Sequence, residues 1–452
     1  MKNSLYKILL AAVLGLSTIA PIATFAYYNT STQVETSTSN LETKLLETID
    51  ADNMYNTIKH LSKTPRVAGS LQEAVAVQYI RKQFESYGYT TQVQVFTFDN
   101  YIEPHTIQLA LDGFTQAMKP LAFEYSVDGE VSAEIISAGL GTVDEIKSLN
   151  LTGKIALMQR GDISFKEKIM NVTTKGAVGV IIYNNADGSI LGSLGEENDT
   201  SVPAVLLTKT EGEALENHIT KNPGKIAALQ IKGAKTQNNT SHNVIATKKP
   251  SNLKKVSTNE VEKHDIIVIG SHHDSVKGAP GANDNASGTS ITLELARVLK
   301  NVPSDTEIRF ITFGAEEMGL IGSAHYVENL SDNDISRIVA NFNLDMVGSN
   351  DAGDLILQTA DNKSNFVIEL AQEASTKLNG KPTPFNQGNN SDHVSFANVG
   401  IPAALFIHNP VEPWYHKPED TVDKISKEKL QDVAEIISLS VWNQIHIDQY
   451  AQ

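Results

Sequence analysis

Apolar and polar residues alternate along this chain with two periods, one typical of helices and one typical of strands. The segment 74–88 carries its large apolar residues on one helical face, and Gly88 ends the pattern. The segment 90–98 then alternates apolar and polar positions, which predicts a strand. A further amphipathic helix is predicted over 290–302. Three mainly apolar segments of strand length lie at 265–271, 307–315 and 337–346.

Apolar strands separated by helices are typical of a mainly parallel sheet with helices on both faces. We therefore expect an α/β fold with a mixed, mainly parallel central sheet. Between 115 and 236 the pattern changes to short β-rich runs separated by turns, such as 154–159 and 178–184. This change predicts a β-rich α+β domain over 115–236, inserted into an α/β domain that comprises 41–114 and 237–452.

The first residues have the pattern of an export signal. Lys2 and Lys7 precede an apolar run, and Ala26 closes a small-residue cleavage site. This arrangement predicts a signal peptide over 1–26 and a secreted, extracellular protein without a stable membrane anchor. The run is too short to favour the alternative, an uncleaved anchor. The Ser/Thr-rich segment 27–40 is typical of a disordered tether or a propeptide remnant.

Composition narrows the chemistry of the chain. Its 452 residues predict about two domains, and its formal net charge of −16 argues against nucleic acid or an anionic membrane as a partner. The chain contains no cysteine, which excludes disulfides, thiol catalysis and thiolate metal sites. Any site for a transition metal must therefore use His, Asp and Glu side chains, which suit zinc or a similar divalent ion.

Side chains of this kind occur where the predicted strands end. In open α/β sheets, ligands bind beyond the carboxyl ends of the strands. Histidines or acids lie at or directly after the ends of all three apolar segments, and another histidine lies in the late segment EPWYHKPEDT. Each of these residues alone is more often a surface or loop residue, but together they predict a metal site. The residues are His272, Asp274, Glu316, Glu317, Asp345 and His416.

The two adjacent histidines have different predicted roles. Successive side chains on an extended chain point to opposite faces, so His272 and His273 cannot both face one metal ion. Asp274 lies two residues after His272 and on the same face, where a carboxylate can accept the second N–H of a ligand imidazole. We assign His272 to the metal, Asp274 to the orientation of His272, and His273 to packing or the surface.

Five motifs then resemble a known family. GSHHDS, GANDNASG, AEEMGLIGS, NLDMVG and WYHKPEDT occur in the order found in secreted bacterial two-zinc aminopeptidases, the leucine aminopeptidases in particular. The segment TPRVAGS (64–70) is similar to that family's N-terminal region. The segment 151–185 resembles a protease-associated domain through its GKIAL strand, Arg160, Gly161 and Phe165. The resemblance implies a zinc exopeptidase fold with a protease-associated domain inserted.

The resemblance also implies a ligand set for two Zn²⁺ ions. His272 and Asp345 would hold one ion, and Glu317 and His416 would hold the other. Asp284, in the motif GANDNASG, would bind both ions.

Catalytic roles follow from the same resemblance. Glu316 would act as the general base, Asp274 would orient a metal ligand, and Tyr415 would stabilise the oxyanion. The family also carries a cis peptide bond after the bridging aspartate, so we expect one between Asp284 and Asn285.

The expected activity is the hydrolysis of N-terminal residues from peptides or proteins by a monomeric enzyme. Carboxypeptidases and dipeptidases with the same metals are one alternative, although a carboxypeptidase needs cations for the terminal carboxylate and no arginine follows Arg337. Glutaminyl cyclases are also related, but they use one zinc ion and would not need His272. An exported peptide-binding protein without catalytic activity is the alternative from another class.

Several further residues have weaker expectations. Asp392 and His393 lie in a segment that matches a family region near the substrate pocket. His325 and His408 are expected to be core or loop histidines. The inserted domain is expected either to limit access of long substrates or only to stabilise the fold.

Overall fold

The computed structural model describes four ranges of the chain, and the predicted signal peptide (1–26) and Ser/Thr-rich segment (27–40) lie outside them. The described ranges are 41–188, 191–195, 202–251 and 264–445. They form two compact units. The larger unit consists of the described residues up to Val67, Gln72–Gln94 and those from Asn243 onward. The smaller unit consists of the described residues of Ala68–Leu71 and Val95–His242.

Strands and helices alternate through most of the described chain. The strands are β1 (Thr91–Ile102), β2 (Thr106–Leu111), β3 (Leu121–Ala122), β4 (Gly129–Ser137), β5 (Ile155–Gln159), β6 (Gly179–Tyr183), β7 (Ala204–Leu207), β8 (Ile226–Lys232), β9 (Lys235–Lys248), β10 (Ile266–His272), β11 (Glu307–Phe313), β12 (Ile338–Leu344), β13 (Asp354–Thr359), β14 (Phe385–Gln387) and β15 (Ala403–Asn409).

The helices are α1 (41–47), α2 (Ala51–Leu61), α3 (Leu71–Ser86), α4 (Val143–Ile146), α5 (Phe165–Thr174), α6 (Lys209–Lys221), α7 (Gly288–Leu299), α8 (Ile321–Glu328), α9 (Asp332–Arg337), α10 (Phe366–Asn379), α11 (His393–Ala397) and α12 (Lys427–Ile445). A π-helical turn, Ala282–Ser287, precedes α7, and a 3-10 turn, Val422–Lys424, precedes α12. Within the described ranges, no helix is both long and apolar enough to cross a lipid bilayer.

An eight-stranded sheet organises the larger unit, in the order β1-β9-β11-β10-β12-β15-β13-β14. The four central strands, β11, β10, β12 and β15, are parallel, whereas β9 and β13 run antiparallel to their neighbours β11 and β15. All seven residues of β10 are buried, as is typical of a strand covered on both faces. The predicted mixed, mainly parallel sheet is confirmed.

Helices cover both faces of this sheet. Side chains of a strand point alternately to its two faces. Ile267 and Ile269 of β10 share an apolar cluster with α2, α7, α10 and α12. Ile266 and Val268 belong to a second cluster, which includes residues of α8 and α11. Burial of apolar surface on both faces fixes the register of β10, because a slip of one residue would exchange the two sets.

The carboxyl ends of three neighbouring strands lie at one edge of the sheet. β10 ends at His272, β11 at Phe313 and β12 at Leu344. β10 pairs in parallel with both β11 and β12, so the residues that follow these strands are brought together.

A seven-stranded sheet organises the smaller unit, in the order β2-β8-β4-β5-β6-β7-β3. Strands β4 to β7 are parallel, and β5 and β6 are almost entirely buried. Helix α6 begins at a capping box, in which Thr208 and Glu211 each bond the backbone N–H of the other. This unit has the β-rich α+β composition that the sequence predicts.

The smaller unit is longer than the predicted insertion over 115–236. Its main segment runs from Val95 to His242. This segment includes strand β2, which lies before residue 115 and pairs along its whole length with β8. The spacing of turns along the sequence does not predict this pairing, since its two strands are separated by more than 100 residues.

Truncation of Phe342 is expected to destabilise the larger unit. Its side chain is fully buried between the strands and helices, and it packs on Phe406 with ring centroids 5.9 Å apart. Phe342→Ala should lower the free energy of unfolding by about 3–5 kcal/mol through lost burial and the cavity left behind. Urea unfolding measures this change, with exposed Val75→Ala as the control. A loss below about 1 kcal/mol, the usual effect of a point substitution, would contradict this packing.

Candidate metal centre

Five potential metal ligands from separate segments converge at the carboxyl edge of the larger unit. His272 is the last residue of β10, and Asp345 directly follows β12. Glu317 lies in the loop after β11, and Asp284 lies in the π-helical turn before α7. His416 comes from the loop before α12, with a left-handed backbone conformation at φ 59°.

His272, Asp284 and Asp345 form a first group of three. The Nε2 atom of His272 lies 3.3 Å from Oδ1 of Asp284 and 3.2 Å from Oδ1 of Asp345. All three residues are buried. One ligand atom from each residue can be chosen so that the three lie within 4.8 Å of one another.

Asp284, Glu317 and His416 form a second group of three. The Nε2 atom of His416 lies 3.2 Å from Oδ2 of Asp284 and 3.1 Å from Oε2 of Glu317. Asp284 thus directs one carboxylate oxygen towards each group. This is the arrangement of a ligand that bridges two cations.

The two groups have the composition and spacing of zinc sites. Zinc in proteins is bound by imidazole nitrogen and carboxylate oxygen at about 2.0–2.2 Å, so tetrahedral ligand atoms lie roughly 3.4 Å apart. The four Nε2–oxygen distances around Asp284 agree with this spacing. In addition, Oε1 of Glu317 is buried without a hydrogen bond among the described residues. A cation at each group would compensate the negative charge of these ligand atoms.

Asp274 connects two parts of the centre. Its Oδ1 lies 3.5 Å from Nδ1 of His272, the ring nitrogen that faces away from the ligand group. Its two oxygens also accept hydrogen bonds from the backbone N–H groups of Glu316 and Glu317, at 3.2 and 3.3 Å. The side chain of Asp274 is fully buried. One carboxylate therefore faces the imidazole and bonds the loop that carries the two glutamates.

Glu316 lies beside the two groups of ligands. Its Oε2 is 3.9 Å from Nε2 of His272, and only 8% of the residue is exposed. Burial raises the pKa of Glu316 well above its usual value, and the charges of Asp345 and Asp392 act in the same direction. A carboxylate in this environment has increased basicity, which suits a group that accepts a proton.

Electrostatic interactions within the cluster also shift the pKa values of its other members. Burial and the charge of Asp284 raise the pKa of Glu317 to about 7. Hydrogen bonds to Asp284 and Glu317 raise the pKa of His416 to about 10. Burial opposes ionisation of His272, but the carboxylates of Glu316 and Asp345 outweigh it and raise its pKa. The centre concentrates negative charge that favours any cation, whether proton or metal.

The remaining predicted residues have varied surroundings. His273 is buried and faces away from the cluster, with Nδ1 3.1 Å from Oγ1 of Thr312, as the alternation of side chains predicts. Tyr415 is 40% exposed and stacks on His416 at 3.8 Å between ring centroids. The peptide bond between Asp284 and Asn285 is cis, which confirms the expectation from the resemblance.

Asp392 and His393 are both fully buried near the centre. Burial raises the pKa of Asp392 to about 7, and neither of its oxygens accepts a hydrogen bond of ordinary geometry among the described residues. The Nε2 atom of His393 lies 2.9 Å from the carbonyl oxygen of Gly388. His408 is buried in β15, as expected, and His325 is half-buried on α8.

Sequence reasoning missed several groups that hold the ligands in place. Ser391 donates a hydrogen bond of 2.8 Å to Oδ2 of Asp345. Glu412 is buried and accepts a hydrogen bond of 2.8 Å from Asn283, the residue before Asp284. Asp420 accepts from the backbone of the same turn. Asp420 lies four residues after His416, and this short spacing is a signal by which the sequence could have identified it.

Comparisons with known proteins agree with this geometry. Residues 243–441 match the profile of peptidase family M28, and residues 124–215 match the profile of the PA domain. Aminopeptidase YwaD of Bacillus subtilis (strain 168) is 39% identical over 405 residues, which are 87% of this chain and 85% of that protein.

Two solved structures are similar along most of their length. An aminopeptidase from Aneurinibacillus sp. strain AM-1 is 51% identical with a TM-score of 0.79, covering 90% of this chain and 96% of that one. BSAP, a zinc aminopeptidase from Bacillus subtilis, is 39% identical with a TM-score of 0.67, covering 88% of this chain and 96% of that one. With these similarities and the five converging ligands, the chain belongs to peptidase family M28 and carries a PA domain inserted in its peptidase domain.

Proposed function

We propose that this chain is a zinc aminopeptidase, which hydrolyses the N-terminal residue from peptides at a centre for two zinc ions. The observation that carries the proposal is the position of Asp284, whose two oxygens face two separate groups of ligands. Relatives named as aminopeptidases, one of them a zinc enzyme, support the activity and the metal.

Five residues would hold the two ions. His272 and Asp345 would bind one ion, Glu317 and His416 the other, and Asp284 both. Three carboxylates and two neutral imidazoles offset only part of the four positive charges. When bound, the ions supply Lewis acidity at the scissile carbonyl and lower the pKa of a water molecule between them.

The proton transfers are assigned to Glu316. Its carboxylate takes a proton from the attacking water and delivers it to the departing amine. Asp274 keeps the imidazole of His272 and the backbone of Glu316 in place. Tyr415, which stacks on His416, would donate a hydrogen bond to the developing oxyanion.

The N-terminal end of the substrate is favoured by the charges of the centre. A terminal carboxylate requires cationic partners, and no arginine follows Arg337 in this chain. A terminal ammonium group requires acids, which Glu316 and Asp345 can supply. This argument favours an aminopeptidase over a carboxypeptidase or dipeptidase, and a non-catalytic binding protein would not need Glu316.

Export and the role of the PA domain are also part of the proposal. The pattern of residues 1–26 supports cleavage by a signal peptidase and secretion. The proposed enzyme is a monomer that acts on peptide or protein N-termini. Deleting Val95–His242, the main segment of the smaller unit, and comparing the turnover of dipeptides and longer peptides tests whether this domain limits access. An unchanged length preference would leave it with a stabilising role.

Replacing the general base is the most direct test of the mechanism. Glu316→Gln keeps the shape of the side chain and removes its basicity, so kcat should fall by about 10²–10⁴-fold while KM and zinc content stay unchanged. Hydrolysis of leucine p-nitroanilide measures the rate, and Glu328→Gln, an exposed glutamate of the same unit, is the control. A variant that keeps more than a tenth of the kcat would exclude this role for Glu316.

Neutralising Asp274 should weaken the metal centre. Asp274→Asn can no longer accept hydrogen bonds with both oxygens, so zinc affinity should fall by about 10–100-fold, as is typical for residues that orient metal ligands. Competition with a chromogenic chelator measures the affinity without any turnover. Asp361→Asn, at an exposed position, is the control and should bind zinc like the wild type. Equal affinities in both variants would contradict the orienting role.

Blocking one end of the substrate distinguishes the exopeptidase classes. Leucine anilide with a free α-amine should be hydrolysed, whereas its N-acetyl derivative should not, because acetylation removes the ammonium charge that the acids bind. A dipeptide with an amidated C-terminus should remain a substrate. Cleavage of an N-acetylated dipeptide with a free C-terminus, together with resistance of the amidated dipeptide, would instead identify a carboxypeptidase.

A further inference from the structure

The segment that leads into Asp284 is held by two charged side chains that are not metal ligands. Arg66 comes from the loop after α2, and Asp420 comes from the loop that also carries His416. Both are buried, with 1% of each residue exposed. Neither has a place in the proposed chemistry, and together they enclose the backbone of residues 280–284.

Arg66 binds the carbonyl side of this segment. Its guanidinium donates hydrogen bonds to the carbonyl oxygens of Pro280 at 2.6 Å and Gly281 at 2.9 Å. It also donates to the carbonyl of His273 at 2.6 Å and to that of Leu61, the last residue of α2, at 3.1 Å. The rigid fork of one arginine therefore joins the end of α2 to both ends of the loop that connects His272 with Asp284.

Asp420 binds the amide side of the same segment. Its Oδ1 accepts a hydrogen bond of 2.8 Å from the N–H of Asn283, and its Oδ2 accepts one of 3.0 Å from the N–H of Asp284. The N–H of Ala282 donates to the carbonyl oxygen of Asp420 at 3.3 Å. Because Asp420 lies four residues after His416, these bonds join two of the ligands proposed for the same ion.

The backbone of residues 280–284 is closely packed between Arg66 and Asp420. Gly281 has φ 65°, and a Cβ atom added there would lie 2.3 Å from the carbonyl oxygen of Asp284 and 2.9 Å from Nη2 of Arg66. Side chains cannot approach so closely, and a positive φ also disfavours them. The backbone before Asp284 is thus held in a single conformation by contacts on both sides.

The charge of Arg66 has no ion-pair contact with an acid within the described ranges. The four side-chain hydrogen bonds that Arg66 makes there all go to backbone carbonyls. Burial lowers the pKa of Arg66 to about 10, while the charges of Asp274 and Asp420 oppose this shift, so the guanidinium stays protonated at neutral pH. It remains a donor to the loop across the working range of a peptidase.

We propose that Arg66 and Asp420 are positioning residues, which hold the backbone on either side of Asp284 so that its two oxygens meet two cations. The inference rests on the proposed zinc centre. It extends that centre to the segment before residue 67, outside the range that matches the family profile. Both residues act through Asp284 and touch neither the ions nor the substrate.

Zinc affinity tests this role independently of turnover. Arg66→Met fills a similar volume without any hydrogen bonds, and Arg66→Lys keeps the charge but cannot donate to four carbonyls. Chelator competition should give zinc dissociation constants about 10–100-fold higher for Arg66→Met and Asp420→Asn, the range observed when residues that orient ligands are replaced. Arg66→Lys should fall between Arg66→Met and the wild type.

Arg297→Met is the matched control. Arg297 also joins the N-terminal region to the core, through hydrogen bonds to the carbonyl of Thr48 and to Glu294, but it contacts no residue of the metal centre. Its loss should lower the thermal stability and leave zinc affinity within about two-fold of the wild type. If Arg66 contributed only to general stability, Arg66→Met and Arg297→Met would lose thermal stability equally, and neither would change in zinc affinity.

The kinetic constants provide a second readout. At limiting zinc, kcat of Arg66→Met should fall with KM unchanged, and saturating zinc should restore most of it, which would not occur for a catalytic residue. Zinc affinity within two-fold of the wild type in both Arg66→Met and Asp420→Asn overturns the inference. If Arg66→Met does not fold, the near-isosteric Asp420→Asn decides alone. A wild-type chain that binds no zinc would instead refute the proposed function itself.

Discussion

The centre depends on the convergence of buried carboxylates around Asp284, which is itself 5% exposed. Burial of several like charges is costly unless cations or protons compensate them. Burial raises the pKa values of both Glu316 and Glu317, which reflects this cost. The same concentration of charge that destabilises the cluster favours the binding of cations, and the two oxygens of Asp284 face two separate groups of potential ligands.

The parallel sheet makes this convergence possible. Strands β10, β11 and β12 are buried and paired in parallel, so the residues after them share one edge. A rigid, fully packed strand places His272 with little freedom, whereas ligands on loops need additional support. Asp274 supplies this support to Glu317, Ser391 supplies it to Asp345, and Asp420 supplies it to the turn of Asp284. The centre is therefore built from rigid strand ends and loops that are held by hydrogen bonds.

Support of this kind explains why many polar groups are buried in the larger unit. The carboxylate of Asp274 satisfies two backbone N–H groups, and the guanidinium of Arg66 satisfies four backbone carbonyls. Buried polar groups stabilise a fold only when their hydrogen bonds are complete. Here the completed bonds also determine where the ligand atoms lie, so stability of the loops and geometry of the metal centre have the same origin.

The sequence by itself determined the parallel sheet, the residues at the strand ends and the choice of His272 over His273. These depend on local patterns, namely apolar periodicity, alternation of side chains and the order of motifs. Only the tertiary structure decided which oxygen of Asp284 faces which group, how far the smaller unit extends, and that Arg66 bonds Gly281. The partners in that last contact are separated by 215 positions. Contacts between such distant segments follow from packing in three dimensions, which no local period along the chain records.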